Sequence, residues 1–125
     1  MPEARQLNPK RGEIWTFRFY PQVGAEITKI RPAVVMSMDN INALGLRIIV
    51  PFTTGHVGFE GDFLKVKIFA DEENRLTQDT WADVFQIKSQ SIERFGKRIG
   101  LLNHAQMEQI ADAVAICVGF SPSTR

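Results

Sequence analysis

Apolar and polar side chains alternate over short stretches of the first half of the chain, which predicts β-strands. Residues 13–19, EIWTFRF, alternate well enough for one strand, and Tyr20-Pro21 ends it. Proline is tolerated at the first residue of a strand and keeps the residue before it extended, so Arg31-Pro32 is expected to open the strand PAVVMSM. Arg31 is therefore expected at the mouth of a strand.

A second apolar run, LRIIVPFTT at residues 46–54, follows a turn marked by Asp39-Asn40 and Gly45. The two runs are separated by a short turn, which predicts that they pair as an antiparallel hairpin. Both runs are nearly continuous in apolar residues, and this pattern indicates burial on both faces of the sheet.

The remaining strand signals are shorter. FLKVKIF at 63–69 alternates, with Lys65 and Lys67 expected to point outward, and TWADVFQIKS at 80–89 is an imperfect strand pattern. A short strand is also expected near KRIGLL, at 97–102. Several short strands at nearly regular spacing are typical of a small barrel or a coiled sheet.

An amphipathic helix is predicted at the C-terminal end. Asn103 followed by Gln106 matches the logic of a capping box, and Gly119 with Pro122 supplies a stop. Apolar residues recur at helical spacing between these signals: Met107, Ile110, Ala111, Val114, Cys117 and Val118. This stripe is expected to pack on the sheet.

Length and composition fit one domain spanning residues 1–125, in which 1–10 are expected to be a flexible N-terminal segment. A chain of 125 residues with 44% hydrophobic residues can bury its own core. No apolar run approaches the roughly 20 residues that span a bilayer, and the N-terminus has no signal-peptide core. We therefore expect a cytoplasmic protein without membrane contact.

Charge is nearly balanced, with 15 Lys and Arg against 14 Asp and Glu. This balance argues against a protein that coats nucleic acid without specificity. The segment 88–98 nevertheless holds four cations and one acid. It forms either one basic face or an ordinary solvated hairpin.

Metal and cofactor motifs are missing from the sequence. Cys117 is the only cysteine, and with only His56 and His104 beside it no zinc-ligand spacing can be assembled. No phosphate loop of Walker type, GxSxG elbow or HExxH motif is present. We therefore expect no metal and no cofactor.

The predicted hairpin brings Arg31 and Thr53 together, because the start of one strand lies beside the end of the other. An arginine neutralises charge on phosphate oxygens and a hydroxyl orients or relays a proton, so the pair suits a phosphodiester. The alternative is that Arg31 forms an ion pair with Glu26 or Glu13 at a strand edge. Pattern alone leaves both open.

Five segments, in order, resemble the MazF/PemK family of toxin endoribonucleases, from about Arg11 to Phe120. They are RGEIWTFRF, GAE, RPAVVMS, IIVPFTT and QIKSQSI, followed by the C-terminal helix. The resemblance implies a mainly β fold with α, namely an SH3-like small barrel of antiparallel strands with a C-terminal amphipathic helix. It also implies a homodimer and metal-independent cleavage of single-stranded RNA, in which the RNA 2'-hydroxyl attacks and leaves a cyclic phosphate.

The same resemblance assigns roles to residues. Arg31 and Thr53 correspond to the catalytic pair of the family, and Gln86 and Lys88 to RNA-binding residues on the following strand. Thr54 and His56, beside Thr53, are also expected to bind RNA. The implied partner is a cognate antitoxin whose acidic, extended C-terminal segment lies in the RNA groove.

Two other classes share the barrel. One is a toxin family that binds DNA gyrase without nuclease chemistry, and the other is an SH3-like interaction module without activity. A toxin that only binds gyrase does not need Arg31 with Thr53. An SH3-like module that recognises Pro-rich peptides would need a cluster of exposed aromatic residues, which Tyr20, Trp15 and Trp81 support poorly. The segment ITKI at 27–30 departs from the Gln-x-Gly of many relatives, so the resemblance does not fix the RNA sequence that is recognised.

Overall fold

The computed structural model describes residues 7–19, 29–54 and 61–121. These ranges contain seven strands and one α-helix, with short 3-10 turns between some of them. The elements are β1 (Glu13–Phe19), β2 (Lys29–Val35), β3 (Leu46–Thr54), β4 (Lys65–Ile68), β5 (Thr80–Asp83), β6 (Lys88–Ser91), β7 (Phe95–Leu101) and α1 (His104–Cys117).

The strands form one antiparallel sheet in the order β4-β5-β3-β2-β1-β7, and β6 pairs with β3 beside this path. The predicted hairpin is confirmed: β2 and β3 pair through Ala33 with Pro51 and Val35 with Ile49. In the described parts of the chain, no ladder joins β4 to β7, so hydrogen bonds do not close the sheet into a ring. The predicted small antiparallel architecture with a C-terminal helix is confirmed.

The prediction of one strand over TWADVFQIKS was wrong. The segment splits into β5 and β6, which pair with the same edge of β3 through Phe52 with Ala82 and Ile49 with Lys88. Between these two pairs the segment has five residues, whereas β3 has only two. Residues 84–86 form a 3-10 turn that takes up the excess. Pro51 lies in the gap and has no N–H to donate to a ladder.

The start and end predicted for the strand PAVVMSM were also wrong. β2 begins at Lys29 and ends at Val35, so Arg31 is its third residue rather than its mouth. The reason is pairing with β1, whose ladder runs back through Phe17 with Arg31 to Phe19 with Lys29. β7 likewise begins earlier than expected, at Phe95.

Only one of the two lysines expected to point outward on β4 is exposed. The ammonium of Lys65 is half-buried and lies 3.7 Å from Asp62 and 3.6 Å from Asp83. Lys67 is exposed, and among the described residues no carboxylate pairs with it.

Both faces of the sheet bury apolar side chains, as the nearly continuous apolar runs predicted. One cluster lies under the helix and consists of Ile14, Val34, Met36, Val50, Phe52, Ile68, Ala82, Val84, Leu102, Met107, Ile110 and Ala113. The other face buries Trp15, Phe17, Ala33, Val35, Ile49 and Phe95.

Among the residues that the structure describes, one charged side chain is buried. Arg47 on β3 is 2% exposed, while its neighbours Leu46 and Ile48 are 46% and 37% exposed. Its guanidinium donates to the carbonyl oxygen of Pro9 (2.7 Å) and to Oδ1 of Asn8 (3.0 Å). These bonds hold Asn8 and Pro9 against the sheet.

The helix α1 has the predicted start. Asn103 Oδ1 accepts from the Gln106 N–H, and the Gln106 side chain accepts from the Asn103 N–H, which completes the capping box. Gly119 follows the helix with φ +84°. Val118 does not belong to the packed stripe, since it lies beyond the helix and is 75% exposed. Within the described ranges no helix is long and apolar enough to cross a membrane.

Candidate active site

Arg31 is a half-buried side chain of a central strand. β2 places it directly opposite Phe17 on β1. Its guanidinium carbon lies 6.0 Å from the ring centroid of Phe19, within the range of a cation–π interaction. A cation–π interaction with Phe19 therefore helps to position the Arg31 guanidinium.

The expected alternative, an ion pair with Glu13, is wrong. Glu13 Oε2 accepts from Arg98 Nε at 3.0 Å, and Oε1 accepts from Trp15 Nε1 and from the Lys10 N–H. Burial raises the pKa of Glu13, but these hydrogen bonds outweigh it and the net pKa is lowered. Glu26 lies outside the described residues. Within those residues no carboxylate forms an ion pair with Arg31.

Thr53 lies in the last part of β3, which pairs with β5 instead of β6. It pairs with Trp81 on β5, and its carbonyl oxygen accepts from Thr80 Oγ1 at 2.7 Å. On the other edge, the β2–β3 ladder ends with Ala33 opposite Pro51, and Arg31 and Thr53 each lie two residues beyond this pair. Side chains alternate along a strand and paired residues share a face, so Arg31 and Thr53 lie on the same face of the sheet.

Arg31 and Thr53 line one cavity of about 330 Å³. Its other described lining residues are Ile30, Pro32, Phe52, Thr54, Leu76, Thr77, Gln78 and Thr80. The convergence predicted from the sequence is thus present in the structure, although it arises from the strand register and not from a strand mouth. The cavity joins one permanent positive charge to several hydroxyl groups.

One wall of the cavity is a turn that is fixed by a buried asparagine. Asn74 is fully buried, its Nδ2 donates to the carbonyl oxygen of Phe69 (2.9 Å), and its Oδ1 accepts from the N–H of Leu76 (3.0 Å). The turn also rests on β7, since a Cβ added at Gly100 would lie 2.2 Å from the Asn74 carbonyl oxygen. Glycine is required there because of this close approach.

Lys88 lies close to the same Phe19 ring as Arg31. It is the first residue of β6, pairs with Ile49, and its Nζ lies 5.3 Å from the Phe19 ring centroid. Phe19 therefore lies between two cations, Lys88 and Arg31. Side chains alternate along a strand, so Ile49 and Thr53 share a face of β3, and Lys88 lies on that face as well.

The other predicted RNA-binding residues are placed differently. Thr54 is exposed and lines the cavity. Gln86 is exposed but lies in the 3-10 turn between β5 and β6 instead of on a strand, and it is not among the described residues that line the cavity. His56 lies outside the described residues.

A second hollow of about 550 Å³ adjoins this site, since Ile30 lines both. Its wall includes Arg18 and Arg94, with Phe17 and Phe95 also lining it. Of the segment 88–98, Arg94 lines this second hollow together with Glu93, the one acid of the segment. Lys88 lies beside Phe19 instead.

Sequence reasoning missed Phe19 and the threonines and glutamine of the 76–80 turn. Phe19 ends a strand pattern and carries no chemical signal of its own. The turn is distant in sequence from Arg31, and no motif marks its residues. In the described residues no group of three or more His, Cys, Asp or Glu side chains is arranged to hold a metal ion.

Comparison with known proteins gives a consistent result. Residues 10–118 match the family model described as PemK-like, MazF-like toxin of type II toxin-antitoxin system. The chain is 32% identical over 117 residues to Endoribonuclease MazF9 of Mycobacterium tuberculosis, and the match covers 86% of this chain and 93% of that protein.

Solved structures share the fold at low sequence identity. MazF from Deinococcus radiodurans aligns with a TM-score of 0.74 at 20% identity, covering 92% of this chain and 100% of that chain. An endoribonuclease in complex with its cognate antitoxin, from a mycobacterial species, aligns with a TM-score of 0.68 at 19% identity, covering 93% and 98%. These two likenesses concern the fold.

Proposed function

Since this chain belongs to the PemK-like, MazF-like family of toxins of type II toxin-antitoxin systems, we propose that it is an endoribonuclease that cuts single-stranded RNA at the Arg31–Thr53 cavity. The relative named Endoribonuclease MazF9 supports the activity. The observation that carries the site is the shared cavity, which is lined both by Thr53 and by an arginine without a carboxylate partner among the described residues.

The chemistry proposed for this cavity is transesterification within the RNA. The 2'-hydroxyl oxygen attacks the adjacent phosphorus, the bond to the 5'-oxygen breaks, and a 2',3'-cyclic phosphate and a 5'-hydroxyl remain. The 2'-hydroxyl loses its proton to solvent water, the leaving 5'-oxygen gains one, and the group that donates this proton regains it from solvent. Arg31 stabilises the negative charge that grows on the nonbridging oxygens and can supply the proton to the leaving oxygen.

Thr53 is proposed to position the phosphate. Its backbone is held on one side by the ladder to Trp81 and by the bond from Thr80 Oγ1, so its hydroxyl is carried on a fixed strand. A fixed hydroxyl contributes by orientation, which lowers the barrier without a change in charge. No metal ligand and no cofactor enter this proposal.

Lys88 is proposed to bind the RNA backbone beside the cavity, and Thr54 to bind the nucleotide at its rim. Their positions support these roles, since Lys88 shares Phe19 with Arg31 and Thr54 lines the cavity. Gln86 and His56 remain proposed RNA contacts on the strength of the family resemblance. Gln86 lies in an exposed turn just before Lys88.

The proposed partner is an antitoxin with an acidic, extended segment that occupies the cationic site and excludes RNA. The solved mycobacterial endoribonuclease bound to its cognate antitoxin supports such a partner. We also propose a homodimer, as the family implies, and action in the cytoplasm.

The test is cleavage of a long single-stranded RNA in the presence of EDTA, with cut positions and end groups mapped. Arg31→Ala and Thr53→Val should both lose cleavage, and Thr53→Ser should keep it because the hydroxyl remains. Arg98→Ala is the matched control: it also removes a strand arginine of this sheet, but one that pairs with Glu13 outside the cavity. Intact RNA with the folded wild-type protein would reject the proposal and favour a toxin that acts by binding.

A further inference from the structure

A row of side chains leads away from the cavity across three strands. Thr53 on β3 pairs with Trp81 on β5, and Trp81 pairs with Lys67 on β4. Because paired residues share a face, Lys67 lies on the same face as Thr53 and Arg31. Three strand spacings of about 4.8 Å place the Lys67 backbone roughly 14 Å from that of Arg31.

The far end of the row combines a cation with two aromatic rings. Lys67 Nζ lies 5.1 Å from the ring centroid of Phe69 and 5.6 Å from that of Trp81, so both rings hold the ammonium group in place. Phe69 is 63% exposed, whereas Trp81 is 7% exposed. The row therefore ends in an exposed ring beside a positioned positive charge.

This face is the one turned away from the helix. Phe52, Ala82 and Ile68 alternate with the row and belong to the cluster that packs under α1. The nearby carboxylates Asp62 and Asp83 are paired with Lys65, which leaves Lys67 without a carboxylate partner among the described residues. A cation next to an exposed aromatic ring is the combination that binds single-stranded nucleic acid.

We propose that Lys67 and Phe69 form a platform that extends the RNA site beyond the cleaved phosphate, with Lys67 contacting a backbone phosphate and Phe69 stacking on a base. The inference rests on the proposed function, since it concerns the same RNA. It adds two contacts on β4 and just after it, separated from the cavity by Trp81. Substrate length therefore matters: an RNA too short to reach β4 does not use the platform.

The test compares Lys67→Ala and Phe69→Ala with two matched controls in the same wild-type background. Lys10→Ala removes an exposed lysine before β1, and Phe120→Ala removes a ring that is 62% exposed after α1. Binding is measured with an RNA that carries a 2'-deoxy group at the mapped cut position. Cleavage is measured with RNAs shortened step by step on either side of that position.

Phe69→Ala should weaken binding roughly 5- to 150-fold, and Lys67→Ala should lower the slope of log affinity against log salt by about 0.7. Phe69→Trp should keep the affinity and Phe69→Leu should not, because only the former can stack. The loss of affinity in Phe69→Ala and the lowered salt slope in Lys67→Ala should both vanish for RNAs that are truncated on one side of the cut position. The two control variants should bind as the wild type does.

Two failures are distinguishable. If the wild-type protein cleaves RNA but Lys67→Ala and Phe69→Ala match the controls at every RNA length, the platform is wrong and the proposed function stands. If the wild-type protein cleaves no RNA, the proposed function fails and the platform fails with it.

Discussion

Asn74 is the residue whose removal should most clearly connect the stability of this fold with the shape of its active site. Replacing it by alanine deletes three side-chain hydrogen bonds: one to the carbonyl oxygen of Phe69 and two from the N–H groups of Asp71 and Leu76. Each such bond contributes about 1 kcal/mol net. Since Asn74 is fully buried, its former partners are left unsatisfied, and we expect a loss of about 3 kcal/mol.

Urea unfolding measures this loss. With an m-value of about 2 kcal/mol per molar urea, Asn74→Ala should lower the midpoint by about 1.5 M. Asn103→Ala is the matched control, because it removes the cap of α1 at an exposed position and should cost about 1 kcal/mol, or about 0.5 M.

The two variants should also differ in RNA cleavage. Asn74 fixes the turn that carries Leu76, Thr77 and Gln78 into the cavity wall, so its loss should lower cleavage even where the protein is fully folded. Asn103→Ala should leave cleavage unchanged. Equal midpoint shifts for the two variants, or full cleavage by folded Asn74→Ala, would refute the role given to this turn.

Three further predictions concern Glu13, Arg47 and Cys117, which are buried wholly or in part. The pKa of Glu13 is lowered in the folded protein, so the ionised carboxylate stabilises the fold above pH 4.5, and this stability is lost as the pH falls through the folded-state pKa. Glu13→Gln should therefore flatten the decline of the urea midpoint below pH 4.5. An unchanged decline would contradict this. Arg47→Met should cost at least about 3 kcal/mol in urea unfolding, because two charge-assisted bonds to Pro9 and Asn8 are lost, and a change under about 1 kcal/mol would count against it. Burial, with the nearby Asp83 carboxylate, raises the pKa of Cys117, so alkylation should be slower in the folded than in the urea-unfolded protein; equal rates would argue otherwise.

The parts of the fold that could be predicted from the sequence are those set by local signals. The helix has its cap, stripe and stop within a short window, and β3 is a nearly continuous apolar run whose bounds match the prediction. The hairpin of β2 with β3 follows because only a short turn separates two apolar runs. Local periodicity and turn chemistry are sufficient in these cases.

The errors arose where strand pairing over long sequence distances decides the outcome. β2 extends to Lys29 because β1 offers partners that far, which no property of residues 29–31 indicates. TWADVFQIKS splits because β3 has too few residues to pair with all of it. This mismatch in residue number can be seen only once β5 and β6 are both placed on β3.

The same reasoning explains what was predicted of the site. The hairpin brought Arg31 to Thr53, so this pair was within reach of the sequence. Lys67 and Trp81 share a face with Thr53 only through two further strand pairings. Phe19 meets Lys88 although β1 and β6 lie on opposite sides of the β2–β3 hairpin, and no local sequence signal indicates this contact. Asn74 carried no signal, since its burial depends on β7.

The most direct test of the central claim is the single-turnover rate of RNA cleavage by Arg31→Lys and by the wild-type protein at saturating enzyme in EDTA. Lysine keeps the charge of Arg31 but loses the planar fork that contacts two phosphate oxygens. We predict cyclic-phosphate ends from the wild-type protein and a rate at least about 100-fold lower for the variant. Cleavage by Arg31→Lys at the wild-type rate, at the same positions, would contradict the assignment of the cavity as the active site.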